Sequence, residues 1–143
     1  MAVERLDVTK SQTGIISLAK ILQHFGVKID EKTLAQEYPD TDKDMTWERL
    51  RRIAKKHTLR TEVLRPTAAE LREIAVPAIV KMKTGGYVVV VVNNDEAVFL
   101  IDPYLQKPVA LAHQQFLAVW AGEVLTFSVK YNWQFFKKKY NLP

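Results

Sequence analysis

Residues 11–26 read SQTGIISLAKILQHFG and predict the first helix of a globular domain. The helix is strongly apolar, yet a small polar step formed by Gln12, Thr13 and Gly14 precedes it. The N–H groups of a first helical turn lack partners within the helix and carry partial positive charge, so they attract an anion or a thiolate. The step is therefore either a helix cap or a reaction site.

Length and composition favour one domain with a real core. The chain has 143 residues, of which 48% are hydrophobic and 26% charged, which excludes a disordered or fibrous protein. Its longest apolar run, residues 87–92, is far shorter than the roughly 20 residues that cross a bilayer. Cysteine is absent and the N-terminal residues lack the pattern of a secretory signal, so a cytoplasmic location is the default expectation.

The first half of the chain is helical in its pattern. After the first helix, a short helix is predicted over residues 30–38 and another over residues 45–57, with Asp44 as its cap. In the latter, Trp47, Leu50, Ile53 and Ala54 recur at helical spacing and share one buried face.

The second half is rich in β-branched residues. Strands are predicted at residues 59–64, 76–82, 87–93, 97–101, 108–111 and 123–129, with short helices after a capping box at 66–70 and over 113–120. Residues 88–92 are all valine and do not alternate, so this strand is placed at the centre of the sheet with the N-terminal helices against one face. The predicted class is α+β with a mostly antiparallel sheet.

The net charge of +5 is concentrated in two places, of which one is the C-terminal run of lysines 137–139. The other is a helical group at Arg49, Arg51, Arg52, Lys55 and Lys56. A solvated helix face explains this group, and a nucleic-acid-binding surface is the alternative, although no recognisable nucleic-acid-binding module is present.

No metal or cofactor site is predicted. His24, His57 and His113 lack the spacing of a helical metal pair, and no cysteine joins them. The sequence also lacks a glycine-rich phosphate loop, so no cofactor is expected in these residues.

Three motifs, in their order and spacing, resemble the papain-like cysteine peptidases that cut double-glycine leaders at the N-termini of bacteriocin-exporting ABC transporters. In that family an acidic residue, the nucleophilic Cys and Gly open a helix that ends in an aromatic residue and Gly. Residues 12–14 and 24–26 hold these positions here. The family's catalytic His is followed by an aromatic residue and a run of Val or Leu, then a hairpin and Asp-Pro. Gly86 and Asp102 hold the His and Asp positions. Residues 116–122 match a third pattern, which ends in Trp, a small residue and Gly.

The resemblance covers about residues 8–129 and implies a papain-like fold whose catalytic residues are replaced. The nucleophile position is held by Thr13 and the base position by Gly86, while Asp102 remains as the orienting carboxylate. The Gln that lends an oxyanion-hole donor is also missing, with Asp7 near its place. Loss of a nucleophile or base costs on the order of a millionfold in turnover in subtilisin, so no peptidase activity is expected and the polar step is interpreted as a cap.

A degenerate domain of this kind resembles the peptidase-like domain of type I secretion ABC transporters that export hemolysin-like RTX proteins. The resemblance implies a non-catalytic domain at the cytoplasmic face of the bacterial inner membrane, where it binds the unfolded secreted protein and adjoins the rest of its transporter, which would bind ATP elsewhere. Tyr87, Tyr104 and Asp102 are expected to line a cleft that accepts an extended peptide. A residual leader-peptide hydrolase using Thr13 with Asp102 is the alternative.

The chain is accordingly divided into a peptidase-like domain, residues 1–129, and a basic aromatic linker, residues 130–143. In the linker, Trp133, Phe135 and Phe136 stand beside lysines 137–139, a combination typical of a polypeptide that approaches an anionic membrane. A flexible chain end is the alternative.

Overall fold

A computed structural model describes residues 11–103, 107–129 and 141. Within these residues, three helices precede a sheet into which a fourth is inserted. The elements are α1 (Thr13–His24), α2 (Glu31–Glu37), α3 (Trp47–Lys56), β1 (Leu59–Leu64), a 3-10 turn (Glu70–Glu73), β2 (Ala78–Met82), β3 (Tyr87–Asn93), β4 (Val98–Ile101), β5 (Pro108–Leu111), α4 (His113–Val119) and β6 (Trp120–Val129). Among the described helices, none is long and apolar enough to cross a membrane.

The six strands form one sheet in the order β1-β6-β2-β3-β4-β5. All five neighbouring pairs are antiparallel, which confirms the predicted α+β class. Strand β3 lies inside the sheet between β2 and β4, as its valine run predicts. Strands β1 and β5 are the two edges among the described strands.

Both faces of the sheet are covered by apolar groups. Helices α1, α2 and α3 pack on one face, and α4 contributes Phe116 to the core on the other. Along β3 the side chains alternate between these cores, because Val89 lies in the first while Val88 and Val90 lie in the second. The apolar groups that cover the sheet do not reach the end of β3, since Val92 is 44% exposed.

The start of α3 differs from the prediction. Thr46, and not Asp44, caps this helix, because Thr46 has an extended backbone and its hydroxyl accepts a bond from the N–H of Arg49 at 3.1 Å. The N–H of Asp44 instead donates to the carbonyl of Thr41 in the preceding turn. The helix therefore begins at Trp47, two residues later than predicted.

The predicted capping box is present. The N–H of Thr67 donates to the Glu70 carboxylate at 2.9 Å, and the N–H of Glu70 donates to the Thr67 hydroxyl at 3.2 Å. The element that follows is one 3-10 turn. Strand β6 begins at Trp120, earlier than predicted, since Trp120 pairs with Met82 of β2 across an irregularity in the register.

Candidate functional site

The polar step before α1 is held in place by the side chain of Gln12. This side chain is buried, and its amide nitrogen donates to the carbonyl oxygens of Ala35 and Tyr38, each at 3.1 Å. Both acceptors belong to the end of α2, so Gln12 fixes the start of α1 against its neighbour. Its role is structural, and its side chain does not cap the helix.

The group that caps α1 comes from far along the chain. The carboxylate of Asp42 accepts bonds from the N–H groups of Thr13, at 3.1 Å, and Gly14, at 2.8 Å, and from the Thr13 hydroxyl. In return, the N–H of Asp42 donates to the carbonyl of Ser11. The interpretation of the polar step as the cap is therefore wrong, because the capping group is a carboxylate 28 or 29 residues away.

Burial raises the pKa of the Asp42 carboxyl above its usual value. The bonds from Thr13 and Gly14 and the positive charge of Lys81 act in the opposite direction but do not cancel it. Asp42 thus binds its proton more tightly in the folded chain than in the unfolded one.

The structure brings together the three positions that the family resemblance assigns to a catalytic triad. The hydroxyl of Thr13 accepts a bond from the N–H of Tyr87 at 2.9 Å, and a Cβ at Gly86 would lie 3.4 Å from the same hydroxyl. Asp102, just after β4, lines the same cleft as Thr13 and Gly86. A side chain at position 86 would therefore begin next to the hydroxyl of residue 13.

This cleft has a volume of about 970 Å³ and lies between the start of α1, strands β2 to β5 and the end of α4. Apolar side chains form much of its wall, among them Met82, Val88, Leu100, Val109, Leu111 and Val119. Three lysines also line it, at positions 43, 81 and 83. The cleft therefore combines an apolar wall with three lysines and the two carboxylates of Asp42 and Asp102, and it includes the edge strand β5.

Tyr87 borders this cleft, but its side chain contributes almost no exposed area to the cleft wall. The residue is 1% exposed, its ring contacts Trp47 edge-on at 5.4 Å, and its hydroxyl donates to the carbonyl of Met45 at 3.3 Å. Burial and the negative charges of Asp42 and Glu123 raise the pKa of Tyr87 to about 12. The expectation that its ring contacts a substrate is corrected: the ring packs into the core.

Gly14 makes this packing possible. A Cβ at position 14 would lie 3.1 Å from the Tyr87 ring and 3.2 Å from the Met45 side chain. The glycine of the polar step therefore serves the approach of α1 to β3.

Other predicted site residues fall outside the described part of the chain. These are Asp7, Tyr104 and the predicted linker, residues 130–143, apart from Asn141. Substrate contacts by Tyr104 and Asp102 stay predictions.

Asp42 is the site residue that the sequence analysis missed. It lies in the polar loop 39–44, where Asp40 pairs with Arg49 at 3.1 Å and Asp44 takes part in a turn. Nothing in the local pattern separates Asp42 from its two neighbours, because its partners lie on α1.

The predicted basic group on α3 divides in two. Arg49 and Lys56 lie over the ring of Tyr38, at 5.3 and 5.4 Å from its centroid. Arg51, Arg52 and Lys55 line a second groove, which lies beside β1.

The start of α1 and strands β2 to β5 line one cleft, which agrees with the papain-like peptidase domain that the family resemblance implies. Residues 5–132 match the Peptidase C39 family, and the chain belongs to this family. The resemblance inferred from the three motifs is thereby confirmed.

A curated relative is the cyclolysin secretion/processing ATP-binding protein CyaB of Bordetella pertussis. It is 29% identical over 116 residues, which cover 79% of this chain and 16% of the relative. The chain therefore spans about one-sixth of the length of this relative, and it is homologous to a peptidase domain of ABC transporters involved in secretion.

Solved structures share the fold. A double glycine motif protease from an AMS/PCAT transporter, in complex with a leader peptide, has a TM-score of 0.72 at 17% identity, covering 80% of this chain and 82% of its own. The N-terminal peptidase C39 like domain of a toxin secretion ATP-binding protein from Vibrio parahaemolyticus has a TM-score of 0.66 at 20% identity, covering 82% and 96%. The papain-like fold is confirmed.

Proposed function

We propose that this chain is a non-catalytic domain of a type I secretion ABC transporter, and that its cleft binds an unfolded secretion substrate at the cytoplasmic face of the bacterial inner membrane. The observation that carries the proposal is the position of the Asp42 carboxylate. Acyl transfer needs N–H donors that are free to receive the oxyanion of the transition state. The N–H groups of Thr13 and Gly14 already donate to Asp42, whose charge repels a developing oxyanion.

The base position supports the same proposal. A hydroxyl is a weak nucleophile unless a neighbouring base takes its proton. Gly86 places no side chain beside the Thr13 hydroxyl, which donates to Asp42 and accepts from the N–H of Tyr87. Both the base and the oxyanion donors of an acyl-transfer site are therefore compromised.

The cleft itself remains open to a polypeptide. Its apolar wall suits the side chains that an unfolded protein exposes, and the edge strand β5 offers backbone groups for pairing with an extended segment. The names of the relatives, which refer to cyclolysin and toxin secretion, favour export of an RTX-type toxin as the context.

The proposal is tested by adding an RTX protein to the isotope-labelled chain and following its amide NMR signals. We expect shifts around the cleft, in β3 to β5, with the denatured RTX protein, and none with the same protein folded by calcium. Val109→Glu, which places a carboxylate in the apolar wall, should weaken these shifts. No shifts with either form, or shifts that Val109→Glu leaves unchanged, would contradict binding in the cleft.

A residual hydrolase is the second candidate, because the Thr13 hydroxyl donates directly to a carboxylate. The base in this candidate would be Asp42, since Asp42 accepts that hydrogen bond. Incubation with a double-glycine leader peptide, followed by mass spectrometry, distinguishes the two functions. A cut that disappears in Thr13→Val would establish the hydrolase and overturn the non-catalytic assignment.

A further inference from the structure

A second groove lies at the β1 end of the sheet, away from the cleft. It has a volume of about 590 Å³ and runs between α3 and the start of β1. Its helical wall is formed by Glu48, Arg51, Arg52 and Lys55, which recur at helical spacing on a face distinct from the buried face of α3. Its other wall is formed by residues 58–61.

Positive charge dominates the groove. Four cations, Arg51, Arg52, Lys55 and Arg60, line it together with one carboxylate, Glu48. Glu48 pairs with Arg52 at 2.9 Å. Within the part of the chain that the structure describes, the other three cations have no carboxylate within 4 Å.

One of these cations is already oriented along the strand. The Nε of Arg51 donates to the hydroxyl of Thr61 at 3.0 Å, which holds the guanidinium beside β1 without neutralising its charge. Arg51 therefore remains available for a carboxylate that approaches along β1.

Strand β1 also offers backbone groups. It pairs with β6 through residues 59–64, and among the described strands no other lies on its outer side. Every second N–H and C=O of an unpaired edge faces outward and can pair with an added strand. Basic side chains on an edge oppose pairing with a second basic strand, and the same charges favour an acidic one.

The lining of the groove favours a polypeptide over a nucleic acid. Surfaces that bind single strands combine positive charge with aromatic side chains on which bases stack. No aromatic residue is among the residues that line this groove, and its apolar residue, Leu59, is buried in the core.

We propose that the groove between α3 and β1 is a docking surface for an acidic, extended segment of polypeptide, which adds to the sheet as a strand beside β1. Carboxylates of the segment pair with Arg51, Lys55 and Arg60, and its backbone pairs with the outer edge of β1. The groove and the cleft share no lining residue, so this proposal stands independently of the proposed function.

The test uses the full 143-residue chain and a fluorescently labelled peptide of alternating Glu and Thr, followed by anisotropy at low salt. We expect binding that weakens as salt is added, and a Kd raised about tenfold by Arg51→Glu with Lys55→Glu. The matched control is Lys28→Glu with Lys32→Glu, which changes the net charge equally at exposed positions outside the groove and should change the Kd by less than about twofold.

Two further probes separate strand pairing from simple attraction of charge. The same peptide with every backbone amide methylated should bind about tenfold more weakly, because it cannot donate to β1. On the unmodified chain, the unmethylated peptide should shift the amide NMR signals of residues 59–64 most strongly.

Several results would overturn the proposal. The proposal is wrong if the methylated peptide binds as tightly as the unmethylated one. It is also wrong if the groove and control variants lose the same affinity, or if the largest NMR shifts lie outside β1. Tighter binding of a single-stranded oligonucleotide than of the peptide, lost in Arg51→Glu with Lys55→Glu, would assign the groove to nucleic acid instead. If the groove variant fails to fold, as judged by circular dichroism, the methylated peptide and the NMR map still decide the outcome.

Discussion

At the cleft end of the sheet the polar groups are paired inside the molecule, whereas at the β1 end several charges have no acidic partner among the described residues. Asp42, Thr13 and the start of α1 satisfy one another through hydrogen bonds. Arg51, Lys55 and Arg60 instead face a groove with one carboxylate. Substitutions of these paired polar groups should therefore act mainly on stability, and substitutions of the groove cations mainly on binding.

The largest effect is expected from Tyr87→Ala. The substitution removes a buried ring that packs against Trp47, and truncation of a buried aromatic residue costs about 3–5 kcal/mol. Urea unfolding measures the loss, with Tyr87→Phe as the control, since it removes only a hydroxyl that donates to Met45 and should cost about 1 kcal/mol. A near-neutral Tyr87→Ala variant would show that the ring does not support the core.

Asp42→Ala should have the next largest effect. It leaves the N–H groups of Thr13 and Gly14 without their acceptor, which costs about 1–3 kcal/mol. Asp44→Ala is the matched control from the same loop, because Asp44 is exposed and caps no helix. Equal losses of unfolding free energy in the two variants would contradict the special role of Asp42.

The pH dependence tests the charge state of the same carboxyl. Because its pKa is raised on folding, the part of the stability that depends on protonation of Asp42 is fully present below its ordinary value of 3.8 and is lost as the pH rises through the raised value. The unfolding free energy of the parent, minus that of Asp42→Asn, should therefore fall with pH across this window. A difference that rises would mean that the hydrogen bonds from Thr13 and Gly14 outweigh burial.

A smaller effect is expected at the cap of α3, which carries the groove. Thr46→Ala removes the bond to the N–H of Arg49 and should cost about 1 kcal/mol in urea unfolding. Binding of the acidic peptide should be nearly unchanged, because Thr46 does not line the groove. Thr46→Asp retains a capping oxygen and serves as the control. Loss of peptide binding in Thr46→Ala would show that the two ends of α3 are coupled.

The smallest effect is expected from an attempt to rebuild the catalytic pair. Thr13→Cys with Gly86→His places a thiol and an imidazole at neighbouring positions, yet Asp42 still occupies the N–H donors. We expect no cleavage of a double-glycine leader by mass spectrometry. Cleavage by this double variant would contradict the blocking role of Asp42. The triple variant, which also carries Asp42→Ala, should cleave the leader faster than the double variant.

The sequence predicts the fold well because helix and strand periods are local properties. The valine run at residues 88–92 belongs to an inner strand of the sheet, as predicted, because a strand that is apolar on both sides needs cover on both faces. Alternation along β3 places Tyr87 and Val89 on one face of the sheet, but the pattern does not say which face the N-terminal helices α1 to α3 cover. The inward direction of the Tyr87 ring therefore could not be predicted.

The candidate site is predicted only in part. The family motifs identify Thr13, Gly86 and Asp102, and the structure places all three along one cleft. The role of Asp42 could not be predicted, because it depends on a contact with residues 28 or 29 positions away. Its loop also contains other aspartates with different partners. Long-range capping leaves no periodic signal in the sequence.

The position of β3 has a consequence for how the domain opens. Its amides at Val89 and Val90 lie between two paired strands and beneath covered faces, so their hydrogen exchange should require global unfolding. Strands β1 and β5 are edges, where local opening is less costly. Each candidate binding surface thus includes an edge strand that can open and re-form locally while the centre of the sheet keeps the domain folded.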